Sequence, residues 1–267
     1  KKKTSSVSSG RTFSDSFNNN TSTLSGCQPK FSLEIEADSL RQQSLHYLIK
    51  HLFQKAYFAP IDNLLSQPDS AALDIGCGSQ ASWLLDVSPD FPNCTFYGFD
   101  LLDIFEEGQG ILIPNNCRLK KHDVFDGLAY KDNTFDFVHQ RMMHLVYPQD
   151  KIPWLFEEIL RVTKDNGWVE LIEPDLSPKR CGPLFEKVYN AVRITIKELF
   201  GSPFHGPSLV KRMSEAGLVD IQTDYGSLPI CWGGYIGKLV YENALQGFRV
   251  FGPAIFEHLE LEGEFDS

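Results

Sequence analysis

Residues 72–83 read ALDIGCGSQASW, in which an acid, Asp74, stands just before a turn carrying Gly76 and Gly78. Glycines at this spacing let the backbone turn tightly and approach a ligand closely. Together with Ala81 they satisfy G-x-G-x-x-[GA], the dinucleotide fingerprint, so a nicotinamide-dependent oxidoreductase is one reading. Asp74 opposes it, because a carboxylate at the mouth of the loop would meet a pyrophosphate with like charge. An acid suits a cation better. S-adenosylmethionine carries a sulfonium and an ammonium group that Asp74 can attract, while Gly76 and Gly78 admit the ligand to the backbone.

Two further acids support this chemistry. Asp100 lies 24 residues after Gly76, closing the apolar run CTFYGFD, where a carboxylate can take two ribose hydroxyls. Asp123 and Val124, in HDVFDG, are placed for an adenine edge. Each has a local alternative: Asp100 as a turn cap, Asp123 as a cap for the stretch toward FDGLAY. Three ligand-type groups at three successive strand ends are harder to obtain by accident. His139, at the end of the next run, is the best-placed base for an acceptor that must lose a proton, with His144 second. A packed, hydrogen-bonded histidine is the competing reading for both.

These groups need strand ends to carry them. AALDIG, CTFYGFD, CRLKKHDV, TFDFVHQ and GWVELIEPD read as strands, and the segments between them carry helical spacing, such as Ile152, Leu155, Phe156, Ile159 and Leu160 before the stop KDNG. An amphipathic helix precedes them from Ser39, with Leu45, Leu48, Ile49, Leu52, Phe53 and Ala56 on one face. Helices near 183–199 and 207–216, a strand within LVDIQTDYGSLPI and a helix near 235–247 follow. Alternating strands and helices predict an α/β fold, a Rossmann-like, doubly wound, mainly parallel sheet that binds ligands at its carboxyl edge.

Residues 1–30 contain 8 Ser, 4 Thr and 3 Asn and almost nothing apolar, which predicts a disordered tail ahead of one domain over residues 31–267. That tail holds five basic residues and one acid, leaving the remainder at −14 of a net −10. So acidic a body argues against a nucleic-acid partner. No apolar run is long enough to span a bilayer, no secretory h-region follows the three lysines, and the chain does not open on Met, so an upstream targeting segment stays open. The six cysteines show no C-x-x-C pair, and no oxygen-rich cluster suggests a metal, so the expectation is reduced thiols, no metal, and a cytoplasmic protein with the lysines leaving nuclear residence open.

The motifs LDIGCGS, YGFDL, HDV, DNTFDFVHQR and ILRVTKDNGWVELIEPD resemble those of class I S-adenosylmethionine-dependent methyltransferases. QSLHYLIKHLFQKAYFAPI, DNTFDFVHQRMM and PICWGGYIG are similar to the fungal LaeA-like (UMTA-type) group, over about Ser39 to Gly237. The resemblance implies Asp74, Gly76 and Gly78 as the glycine motif and Asp100 as the ribose contact. It implies Leu101 as a lid on adenine, Asp123 and Val124 at its edge, and His139 or Gln140 near the methionine end. Two features depart from the family. Gln80 stands where glycine is usual, and could crowd the methionine tail or donate to its carboxylate; retained binding is the favoured expectation. No run after ALQGFRVF is left for the usual seventh strand, so either that strand is missing or the segment near GFRVF replaces it.

The acceptor is narrowed mainly by exclusion. There is no [DN]-P-P-[YF] and no Pro-Cys loop after the fourth strand, which argues further against a nucleic-acid acceptor. A small molecule or a protein side chain remains, with Arg141, Tyr47, His51, Tyr57, Trp154 and Trp232 as pocket candidates against the commoner core role of such residues. The resemblance also leaves room for a regulatory or interaction protein on the same fold, with little or no catalysis and with protein partners.

Overall fold

The computed structural model describes residues 3–10, 35–101, 112–175, 177–200 and 206–258. In chain order, β1 (Lys3–Gly10) is followed by α1 (Ile35–Phe53) and α2 (Asp62–Leu65), then by β2 (Ala71–Ile75), α3 (Ser82–Val87), β3 (Thr95–Asp100), β4 (Cys117–Lys121) and β5 (Phe135–Arg141). The rest comprises α4 (Ile152–Val162), β6 (Thr163–Asp175), α5 (Pro183–Phe200), α6 (Gly206–Glu215), β7 (Val219–Ser227) and α7 (Tyr235–His258). The strands form one sheet in the order β4-β3-β2-β5-β6-β1-β7, with every described pairing parallel.

The central strands are apolar because helices cover both of their faces. Leu73, Ile75, Val138, Val169 and Leu171 face a core that also holds Leu155, Phe156 and Ile159 of α4 and Leu209 and Met213 of α6. Ala72, Phe137 and Trp168 face the opposite way, toward Leu65 of α2 and Trp83, Leu84 and Val87 of α3. The chain leaves β2 for β3 and β4 on one side and returns to β5 on the other. This reversal opens a crevice at the carboxyl ends of β2 and β5, where doubly wound sheets bind ligands.

Two expectations need correction. Lys3–Gly10 falls in the predicted disordered tail, yet it is a strand pairing with both β6 and β7. Ladder hydrogen bonds come from the backbone, so a segment poor in apolar residues can still fill a slot between two strands. Residues 11–30 of that tail lie outside the described residues. Lys3–Gly10 brings the sheet to seven strands, and GFRVF lies within α7 rather than in a replacement strand. α4 ends just before KDNG, the expected helix stop, and KDNG itself lies in the irregular opening of β6, where the register against β5 shifts between Phe135 and Phe137.

Candidate cofactor site

A cleft over the ends of β2 and β5 is lined by Asp74, Gly76, Gly78, Gln80, Trp83, His139 and Arg141, among others. Period-two alternation decides which side chains arrive there. Asp74 shares the face of Ala72, and His139 and Arg141 share that of Phe137, so all three project toward α3 and α1. Gln140 projects the other way, into the core, where its Oε1 accepts a hydrogen bond from Tyr147 Oη at 2.9 Å. Gln140, expected near the methionine end, is therefore not among the residues lining the cleft, and Arg141 is.

The glycine loop is built around its backbone angles. Gly76 and Gly78 have φ of +65° and +75°, values that disfavour any residue with a Cβ. A side chain at Gly76 would also collide with Met143 Sδ, and one at Gly78 would come within 2.5 Å of Gln42 Oε1. Asp100, almost fully buried, accepts from the Gly78 N–H at 2.9 Å and so ties the end of β3 to the loop. Gln42, reaching from α1, accepts from the Ser79 N–H at 3.2 Å. Ala81 (φ +43°) and Met142 (φ +58°) add left-handed backbone at the same rim, a concentration of strain of the kind found at ligand sites.

His139 is completely buried. Its Nδ1 donates to Asp74 Oδ1 at 2.8 Å, and its ring stacks on Trp83 at 3.9 Å between centroids and 7° between planes. That tautomer leaves Nε2 as an acceptor, and it has no partner among the described residues. His139, the expected base, thus backs Asp74 through Nδ1. His144, the second candidate, is equally buried beside Glu173, with 3.5 Å between Nδ1 and Oε2. Cys77 is no nucleophile either: burial, then Asp74 and Asp100, push its thiol well above the usual range.

Asp123 accepts from the Phe125 N–H at 2.9 Å, capping the 3-10 turn Val124–Asp126, and Val124 is packed in the core. The capping alternative thus describes the observed bond, and neither residue is among those lining the cleft. Leu101, 43% exposed, stands beside Asp100 as an adenine lid would. Of the six acceptor candidates, Arg141 alone lines the cleft; Trp154, for example, stacks on Phe125.

A polar chain runs from Arg141 into α1 and α3. Arg141 Nη1 donates to His46 Nδ1 at 3.0 Å, His46 Nε2 donates to Asp86 Oδ2 at 3.1 Å, and Lys50 Nζ meets both Asp86 oxygens at 2.8 and 2.7 Å. Burial, with Arg141 alongside, pushes His46 down to about 3. The unfolded chain titrates this group near 6.5, so between these values it takes up a proton that the folded chain does not. Stability should therefore fall on acidification from pH 7 to pH 4, by at most about 1.4 kcal/mol per pH unit from this residue. A His46→Gln variant should show a shallower fall of Tm over that range, and equal slopes in variant and parent would remove His46 as the source.

Among the described residues no group of three or more His, Cys, Asp or Glu is placed to hold a metal, and no helix is long and apolar enough to cross a membrane.

A parallel sheet with this strand reversal, a glycine loop at the switch point and acids in β2 and at the end of β3 define the class, and the methyltransferase domain family matches residues 46–223. The chain belongs to that family. Within it, the chain is related to the LaeA-like group. It is 31% identical over 144 residues to the secondary metabolism regulator laeA of Coprinopsis cinerea, covering 53% of this chain and 34% of that protein. The N-methyltransferase tcpN of Claviceps purpurea is 30% identical over 200 residues, 71% of this chain and 68% of its own. The N-methyltransferase verN of Clonostachys rogersoniana is 30% identical over 145 residues, 54% of this chain and 49% of its own. The chain thus spans half or less of the length of two of these relatives, and about two thirds of the third.

Proposed function

We propose that this chain transfers a methyl group from S-adenosylmethionine to an amine nitrogen of a small molecule. The carrying observation is Asp74 in the wall of a glycine cradle, a carboxylate where a dinucleotide would need positive potential. Because Asp74 faces the cleft, the dinucleotide reading loses the condition it needs. The donor set suits a cationic nucleoside: an acid at the loop, a second acid at the end of β3, and backbone at Gly76 and Gly78 where a Cβ has no room. Gln80 lines the same cleft.

When bound, S-adenosylmethionine supplies an electrophilic methyl group on a sulfonium. The residues of the chain have three tasks. Asp74 offers negative charge to a cation, and His139 with Trp83 fixes that carboxylate and closes off water behind it. Asp100 sets the loop through Gly78. Gln42 and Gln80 border the cleft from α1 and from the start of α3.

The acceptor class is a matter of the nucleophile's own chemistry. The one lining imidazole, His139, is fully buried, with Nδ1 bonded to Asp74 and Nε2 without a partner among the described residues. A neutral amine attacks with its own lone pair and needs no prior loss of a proton, whereas an alcohol needs a base. The names of the two N-methyltransferase relatives support the same choice.

Calorimetric titration tests the cofactor. S-adenosylhomocysteine should bind in the low micromolar range, about −8 kcal/mol, and NAD should give no heat. The reverse would sink the proposal. A chain that binds the product but methylates no amine in a panel of small molecules would leave the regulatory reading in the lead.

A further inference from the structure

β1 is a polar strand in an apolar sheet. Its sequence, KTSSVSSG, has Val7 as its one aliphatic residue, yet it lies between β6 and β7 and is paired with both. A strand inside a parallel sheet is ordinarily an apolar run, because helices cover both faces. Departures of this kind from local rules are expected at functional positions. Ladder hydrogen bonds hold Lys3–Gly10 in its slot, and its sequence offers little apolar surface to add to them, so its release costs less than that of β2 or β5.

The register gives this strand two sensitive neighbours. Ser5 pairs with Glu170 and Ser8 with Glu173 on β6, and both glutamates are completely buried. On its other side Ser5 pairs with Gln222 of β7, so neither of its in-register neighbours is basic. Each glutamate also holds backbone that shapes the cleft. Glu170 accepts from the Phe58 and Ala59 N–H groups just after α1, the helix that carries Gln42, and Glu173 Oε1 accepts from the Met143 N–H at 3.0 Å. Gln42 and Met143 both line the cleft.

We infer that Ser5 is a phosphorylation site, and that its modification drives β1 out of the sheet and loosens the cleft. Lys2 and Lys3 stand three and two residues before Ser5, a charge pattern that suits the acidic substrate groove of a basic-directed protein kinase. In the transfer, Ser5 Oγ bonds to the γ-phosphorus of ATP, the bond from that phosphorus to the bridging oxygen breaks, ADP leaves, and the hydroxyl proton passes to the kinase. The product carries about −1.5 to −2 charge. In the slot that charge would stand in register with a buried carboxylate, and like charges directly opposite destabilise a strand pair, the more so away from water. Release ends the repulsion and returns the phosphate to solvent. Among the hydroxyl residues of β1, Ser5 alone combines adjacent lysines with a carboxylate in register: Thr4 and Ser6 pair with Val169 and Leu171, and Ser8 and Ser9 lie beyond Val7.

The test treats the full chain with ATP and the catalytic subunit of cyclic-AMP-dependent protein kinase, with Ser5→Ala as the control. Mass spectrometry should place phosphate on Ser5 of the parent. The amides of β7 (Val219–Ser227), whose sheet partner among the described residues is β1, should then exchange hydrogen about 10-fold faster or more. Ser5→Ala, treated alike, should keep the original rate. Glu170→Gln removes the charge in register with Ser5, so phosphate should accelerate its exchange less than it does in the parent. A parent that takes no phosphate at Ser5 overturns the proposal, as does one that takes it and exchanges at the unmodified rate. Equal acceleration in the parent and in Glu170→Gln overturns the role of the register. The link to the cleft rests on the cofactor reading above and has its own readout: phosphorylation should weaken S-adenosylhomocysteine binding about 10-fold, within the usual range of coupling between two sites. Unchanged affinity beside faster exchange overturns that link alone. An unmodified chain that binds no S-adenosylhomocysteine overturns the cofactor reading, a result distinct from the exchange of β7.

Discussion

Replacing Asp100 with Ala should weaken S-adenosylhomocysteine binding at least 100-fold. The carboxylate is almost fully buried at the carboxyl end of β3 and accepts from the Gly78 N–H at 2.9 Å. Its removal leaves that N–H without its carboxylate acceptor and releases a loop whose glycines hold φ of +65° and +75°. It also deletes the group proposed to take the ribose hydroxyls. Hydrogen bonds to a charged group contribute about 1.5–3 kcal/mol each, so two such losses come to about 3–6 kcal/mol, a factor of 100 or more. Asp100→Asn can still accept from Gly78 and should fall between parent and Ala variant. Calorimetry at several protein concentrations would read the difference. An Ala variant binding within threefold of the parent would mean that β3 plays no part in the site.

The second large effect is on stability. Glu170 is completely buried in β6, and its Oε2 accepts from the Phe58 and Ala59 N–H groups at 2.7 and 2.8 Å. Those residues connect α1 to the sheet. Glu170→Leu would leave two inward-facing N–H groups without their acceptor, at about 1–3 kcal/mol each. A loss of about 3–5 kcal/mol is expected, a large fraction of the 5–15 kcal/mol typical of a folded domain. Glu170→Gln keeps one acceptor oxygen and should lose less. Urea unfolding of the three chains provides the comparison, and coincident midpoints would contradict this role for Glu170. The effect extends to the cleft, because the same connection anchors the helix that carries Gln42 and His46.

The sequence was most readable where one residue type had one physical use. Gly76 and Gly78 announced a loop whose backbone angles favour glycine, and Asp74 beside them announced the charge of its ligand. The strands β2 to β6 were visible as apolar runs with polar ends. Reading failed where the same pattern served two uses. Asp123 carries the signal of an N-cap and of a ligand group alike, and the bond to Phe125 shows the first. Gln140 and Arg141 were adjacent candidates at one strand end. Counting alternate residues from Phe137, whose partners are apolar, would have selected His139 and Arg141 and sent Gln140 to the far face. Gln42 gave no signal, because a polar residue on an amphipathic helix meets its partner only through tertiary packing. His139 was found as a site residue, but its burial under Trp83 depends on α3 and could not be read locally.

The position of β1 sets an order of assembly. β7 has no sheet partner among the described residues except β1, which in turn lies against β6. A ribosome releases Lys3–Gly10 well before Trp168, which faces Lys3, and Val219 emerges later still. Among the described strands, β1 must therefore wait for β6 and β7, and closing so long a loop is a slow step in folding. Until it closes, β6 has one bare edge and β7 has two, and such edges invite pairing between nascent chains. Lys3–Gly10 thus acts as the clasp of the sheet, and a change in this strand would burden assembly more than its distance from the cleft suggests.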